Sequence, residues 1–105
     1  MLSEPLPGAA WRPQWGASPR VGALMSNRSG GVSAAPWASL NLGVAVGDDP
    51  AAVAENRRRF ARALGADPVW MRQVHGCDVL RLNHRHLGID PPTADAAWTD
   101  EPGLA

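Results

Sequence analysis

His75 closes the run Val69 to His75 (VWMRQVH) and stands directly before Gly76. An imidazole in that place can ligate a metal ion or move a proton near neutral pH. A glycine beside it lets a ligand or a second backbone come close. A histidine hydrogen-bonded for purely structural reasons fits the same spacing, and spacing alone favours that plainer role. Cys77 follows two residues later. In an unbroken strand the two side chains would share a face about 6.6 Å apart along it, which suits two corners of a zinc site. A bend at Gly76 would spoil that alternation, and no C-x-x-C pair is present, so Cys77 reads as a small buried residue.

A second group lies upstream. Arg28-Ser29-Gly30-Gly31-Val32-Ser33 combines adjacent glycines, a guanidinium and two hydroxyls. Such a loop offers backbone amides and side-chain donors to a phosphate or another anion. It is no Walker sequence, because Gly-Lys-Ser/Thr does not follow. Asn41, within Ser39-Leu40-Asn41-Leu42-Gly43, fits two roles equally: a hydrogen bond to a ligand, or a pin for the loop's own backbone. His84 and His86 flank Arg85 in a polar connection and read as solvated. Arg57-Arg58-Arg59 sits near Glu55 and Asp49 on a helix, and reads as a solvated face rather than a nucleic-acid contact.

The elements that must position these residues follow from pattern and punctuation. Residues 1–19 hold four prolines with Trp11 and Trp15 among them, an irregular arm whose tryptophans would dock on a body. Arg20 to Asn27 (RVGALMSN) is an apolar run between Pro19 and Gly30-Gly31, expected as a buried strand. Residues 28–48 form a Gly/Ser/Pro-rich loop. Loops beyond about 15 residues are uncommon in compact domains and are often functional.

A helix over 50–64 has every local signal: Asp49 as cap, Pro50 at the first position, Val53, Phe60 and Leu64 on one face, and Gly65 as a left-handed stop. Arg58, Arg59 and Arg62 would lie outside. Residues 69–75 and 77–82 are expected as strand segments separated by a bend or bulge at Gly76. Residues 94–98 would add one more short strand.

The composition limits the function classes. The chain has 105 residues, ten basic against ten acidic, and 45% hydrophobic residues. That is at most one domain, or a piece of one. A balanced charge argues against an electrostatic nucleic-acid binder. All ten basic residues are Arg, which a coding bias explains as well as anion binding does. One cysteine excludes an internal disulfide. No apolar run approaches the roughly 20 residues of a membrane span, and Glu4 with two prolines stands where a signal peptide would be basic and then apolar. The expectation is a cytoplasmic protein that binds neither membrane nor nucleic acid.

Taken in order, the segments Asn27 to Ser33, Pro36 to Gly43, Val46 to Pro50, Glu55-Asn56-Arg57, Trp70 to Gly76 and Ala94 to Thr99 resemble the YfiH family, also called the laccase-domain, polyphenol oxidase or peptidoglycan editing factor family. The likeness runs over about residues 20–103, and the incomplete domain that it implies after the arm is 20–105. It implies an α+β fold of mixed β-sheets covered by helices, of which this chain is the N-terminal half. It also implies a zinc-dependent purine nucleoside phosphorylase acting on adenosine, inosine and methylthioadenosine, with adenosine deamination beside it. Older descriptions of the family name copper instead.

In Gln-Val-His-Gly, His75 matches the family's first metal ligand and is the expected catalytic residue. Arg28 and Asn41 become expected members of a phosphate or nucleoside pocket. The family's second and third ligands belong to Ala-Asp-Cys and His-x-Gly-Trp-Arg-Gly motifs that this sequence lacks, and Cys77 is not that cysteine. Asn27 stands where the family commonly has Thr, and Trp37 where Tyr is usual. The expected partners are a purine nucleoside and phosphate. A C-terminal half or a second chain would complete the site, and the 105 residues alone would be inactive. The alternative is a non-catalytic binding or interaction module derived from the same family.

Overall fold

The computed structural model describes residues 11–88 and 90–105. The chain forms two compact units, Met1–Gly65 and Ala66–Ala105. Residues 1–10 of the expected arm lie outside the described residues.

The first unit is built on one helix, α1, Pro50–Leu64. Its local chemistry is as the sequence dictates. The Asp49 carboxylate accepts from the Ala51 amide at 3.0 Å, supplying one of the partners that a helix start lacks. Gly65 ends the helix at φ 71°, and its N–H donates to the Ala61 carbonyl. Val53 and Ala63 are buried, with Phe60 partly so. The small core joins Leu40 and Ala63 to Leu24, Leu42 and Phe60. The residue no apolar pattern announces is Asn56, buried completely at the centre of the same face.

Two expectations for this unit are corrected. Residues 20–27 do not form a buried strand. Met25 alone pairs, antiparallel with Trp11, through bonds of 2.7 and 2.8 Å. Val21 and Met25 are exposed, because the described residues offer this segment no longer ladder to join. Trp11 and Trp15 are also exposed rather than docked.

The second unit holds a two-stranded parallel sheet, β1 (Val79–Arg81) and β2 (Ala96–Trp98), in register Val79 to Ala96. The expected strands 77–82 and 94–98 are therefore present but shorter. Residues 69–75 are not a strand. Their one backbone bridge joins Arg72 to Thr93, with Arg72 N–H to Pro92 O at 2.8 Å and Ala94 N–H to Arg72 O at 3.1 Å, and Val69 N–H donates to Ala105 O at 2.7 Å. A 3₁₀ turn over His84–His86 connects the strands, capped by Asn83, whose N–H donates to His86 Nδ1. Ala94, Leu82 and Leu104 are buried, whereas Val79 and Trp98 are 64% and 51% exposed. Arg81 lies over the Trp98 ring, 5.2 Å from its centroid.

Replacing Asp49 by Ala should destabilise the first unit by about 1 kcal/mol, read from the urea midpoint. Glu55 supplies a pH test. Hydrogen bonds from Arg58 and Arg59 hold its carboxyl down at about 2, against an ordinary 4.5. A depressed acid stabilises fully above its ordinary value and loses that contribution as pH falls through the lowered one. The urea midpoints of wild type and Glu55→Gln should therefore differ at pH 7 and converge between pH 4.5 and about 2.

Candidate functional site

The loop 28–48 takes its shape from polar side chains of α1. Asn56 Oδ1 accepts from the Val32 amide at 2.8 Å. Its amide group donates to Ser33 Oγ at 2.8 Å and to the Asn41 carbonyl at 2.9 Å. Ser33 passes the bond on to Asp48 at 2.5 Å, and Asp48 also accepts from Asn41 Nδ2 and the Asp49 amide. These donors, the Ser33 hydroxyl foremost, hold the Asp48 carboxyl below its ordinary value. Arg57 reaches the Leu42 carbonyl and Arg59 the Gly30 carbonyl, at 2.8 and 3.1 Å. Burial lowers the Arg57 pKa.

The arginine triplet is thus not simply a solvated face. Arg58 is exposed beside Glu55, but Arg57 and Arg59 clamp loop carbonyls. Gly31 is required sterically: a Cβ there would sit 2.1 Å from the Ser39 carbonyl oxygen and 2.5 Å from Asn56 Oδ1.

This network changes the reading of the glycine loop as an anion cradle. The amides of Ser29, Gly31, Val32 and Ser33 all donate within the loop or to α1, so they are not available to a phosphate. Arg28 remains exposed. Its Nε donates to the Ala38 carbonyl at 3.1 Å, which leaves the two terminal nitrogens without a partner among the described residues. Asn41 holds its own turn, with Oδ1 accepting from Gly43 N–H and Nδ2 donating to Gly43 O.

In the second unit, His75 occupies a bend at φ 57°, the one positive-φ residue other than glycine among the described residues. The Asp95 carboxylate accepts from three successive amides: Val74 at 2.9 Å and His75 at 2.7 Å on Oδ1, and Gly76 at 2.8 Å on Oδ2. The Gly76 bond contributes most to holding the Asp95 carboxyl below its ordinary value. An added Cβ at Gly76 would meet Asp95 Oδ2 at 3.4 Å, an ordinary contact, so nothing within the described chain demands glycine there.

The imidazole of His75 is exposed and makes no hydrogen bond among the described residues. Cys77 is exposed too, against the expectation of a buried thiol. His84 Nδ1 pairs with the Glu101 carboxylate. A catalytic zinc takes three protein ligands and keeps a fourth position open. No group of three His, Cys, Asp or Glu side chains that could hold a metal ion exists among the described residues. The described residues alone therefore do not complete a zinc or copper centre around His75, the ligand expected from the sequence.

Arg28 and Asn41 belong to the first unit and His75 to the second. The residues that shape both regions, Asn56 and Asp95, were not singled out for these roles from the sequence. Asn56 carried a signal, a carboxamide on the core-facing stripe of a helix, since a buried amide must find partners. Asp95 carried none, because its partners lie in a different stretch of chain.

The chain resembles known proteins over most of its length. A family model described as multi-copper polyphenol oxidoreductase laccase matches residues 22–105. A protein of Pseudomonas aeruginosa named purine nucleoside phosphorylase is 48% identical over 97 residues, covering 91% of this chain and 38% of the relative. The purine nucleoside phosphorylase YfiH of Escherichia coli is 46% identical over 93 residues, 87% of this chain and 37% of the relative. Among solved structures, protein NMB0706 of Neisseria meningitidis superposes with a TM-score of 0.83 at 35% identity, over 90% of this chain and 38% of that one. YlmD of Geobacillus stearothermophilus gives 0.72 at 32% identity, over 91% and 43%. The chain spans a little over a third of the length of these curated relatives. The helix and small sheet are part of the α+β fold of the two solved structures.

Asn56→Ala should cost the first unit about 2 kcal/mol, because it strands the Val32 amide and the Asn41 carbonyl in a part-buried setting. Asn56→Asp should be no milder, since a carboxylate would then face the Asn41 carbonyl. Denaturant unfolding monitored by helix signal measures both.

Proposed function

The chain belongs to the multi-copper polyphenol oxidoreductase laccase family, and on that premise we propose that it is the N-terminal part of a cytoplasmic, zinc-dependent purine nucleoside phosphorylase. The observation that carries this reading is the identity of 46–48% to relatives bearing that name, over nearly the whole of this chain. The substrates proposed are adenosine, inosine and methylthioadenosine with inorganic phosphate. Phosphate oxygen bonds to C1′ of the ribose as the bond from C1′ to the purine nitrogen breaks, giving a ribose 1-phosphate and the free base. Hydrolytic deamination of adenosine is the proposed second activity.

Each residue has a role that its geometry supports. Arg28 presents two guanidinium nitrogens with no partner among the described residues, a fork that matches a phosphate. Asn41 holds the loop that carries the substrate-binding segment, through its bonds to Gly43 and Asp48. His75 offers a free imidazole on a fixed backbone and is the proposed metal ligand of this chain. Zinc, when bound, would supply a Lewis acid able to polarise water or phosphate at neutral pH. The remaining ligands would come from the rest of a family-length chain or from a second chain. The open parallel pair β1–β2 supports that reading. Parallel sheets are normally covered on both faces, yet Val79 and Trp98 here remain exposed.

Release of free base from inosine and adenosine in the presence of phosphate tests the proposal. The 105-residue chain alone should show none. Residues 1–105 joined to the C-terminal remainder of the E. coli YfiH protein should turn over, and His75→Ala should abolish that turnover with the helix signal unchanged. Arg28→Ala in the joined protein should raise the KM for phosphate about tenfold or more. A joined protein that binds nucleoside without releasing base would favour the non-catalytic module. Unchanged phosphate dependence in Arg28→Ala would remove that residue from the site.

A further inference from the structure

A carboxylate that accepts from three consecutive backbone amides is an unusual use of one side chain. Successive N–H groups that converge in this way form a concave anion site. Here the chain fills it with its own Asp95, through Oδ1 to Val74 and His75 and Oδ2 to Gly76. The bend holds His75 at φ 57°, a region in which non-glycine residues are uncommon. A strained backbone persists only when its surroundings over-determine it.

Asp95 is well placed to do so. It directly precedes β2, its own amide donates to the Asp78 carbonyl at 3.4 Å, and the neighbouring Ala94 is buried and donates to Arg72 at 3.1 Å. The carboxylate is thus mounted on backbone that is bonded to two other segments of the second unit. It takes its hydrogen bond from the backbone of His75 and makes none to the imidazole.

We infer that Asp95 is the positioning residue of His75, its carboxylate fixing the left-handed bend that presents the imidazole outward as a ligand. This rests on the reading of His75 as a site residue given above. An ordinary turn residue would need no such grip. An exposed ligand does, because an imidazole on a freely averaging backbone loses the orientation that metal ligation rewards.

The test uses the whole 105-residue chain and its Asp95→Ala and Asp95→Asn variants. Amide hydrogen exchange by NMR gives the first readout. Asp95→Ala should lose protection at Val74, His75 and Gly76 and lose the strong intraresidue contact between amide and α protons that marks positive φ at His75. Protection at Leu82, bonded to Trp98 O, and at Ala105, bonded to Asp67 O, should stay. Asp95→Asn keeps an acceptor for the two bonds on Oδ1 and should lose protection at Gly76 alone.

A merely structural aspartate would instead lower protection throughout residues 66–105. The second readout is the affinity for Zn²⁺ alone of residues 1–105 joined to the C-terminal remainder of the E. coli YfiH protein, with His75→Ala in that protein as control. Apparent affinity should fall about tenfold or more in Asp95→Ala and less in Asp95→Asn. A bend that survives in Asp95→Ala, or a zinc affinity that does not change when the bend is lost, overturns the inference. A zinc affinity of the joined protein that His75→Ala leaves unchanged overturns the metal reading of His75, and with it the ligand-presenting role of Asp95. The exchange pattern of the three amides distinguishes the two failures.

Discussion

The first unit depends on one buried carboxamide. Asn56 occupies the centre of the face that α1 turns to the core, where Val53 and Ala63 would lead one to expect another aliphatic group. A buried amide group is costly unless every donor and acceptor finds a partner. That cost makes the arrangement specific. Val32, Ser33 and Asn41 must each return to Asn56, so stretches nine residues apart in the loop are drawn to the same side chain. Gly31 is glycine because the loop backbone passes too close to Asn56 and Ser39 for a side chain. The order of the long loop is therefore a property of the helix as much as of the loop.

The charged residues around that amide repeat its logic at the rim. Arg57 and Arg59 spend donors on the Leu42 and Gly30 carbonyls, which have no strand or helix to pair with. Glu55 is held beside Arg58 and Arg59, and Asp48 gathers Ser33, Asn41 and the Asp49 amide. Among the described residues no buried side-chain nitrogen or oxygen lacks a partner. The region has little regular structure, so side chains satisfy the backbone groups that a ladder would otherwise have paired. Of the two residues expected from the sequence to meet substrate here, Asn41 is bound into this network and Arg28 retains an open fork.

The second unit uses the same device with a carboxylate in place of an amide. Its strands are three residues long, too short to hold a neighbouring segment by ladder alone. Asp95 holds residues 74–76 instead, through their backbone amides and with no hydrogen bond to the imidazole between them.

The sequence by itself determined whatever depends on near neighbours. Asp49, Pro50 and Gly65 delimited α1 because caps act over three or four residues, and Gly76 announced a bend. The short strands after it were legible from their apolar runs, and the family from the order of its motifs. Tertiary structure decided the rest. Residues 20–27 and 69–75 have strand-like composition, yet a strand exists only where another segment offers it a ladder, and neither segment found more than an isolated bridge. Amides in the glycine loop looked free until Asn56 and Ser39 claimed them. Cys77 looked like a core residue and is exposed. Asp95 drew no reading within the expected strand 94–98 and proved to hold a bend 19 to 21 residues away. In each case the missing fact was a partner distant in sequence, and a hydrogen bond has no address in the chain until folding brings its two ends together.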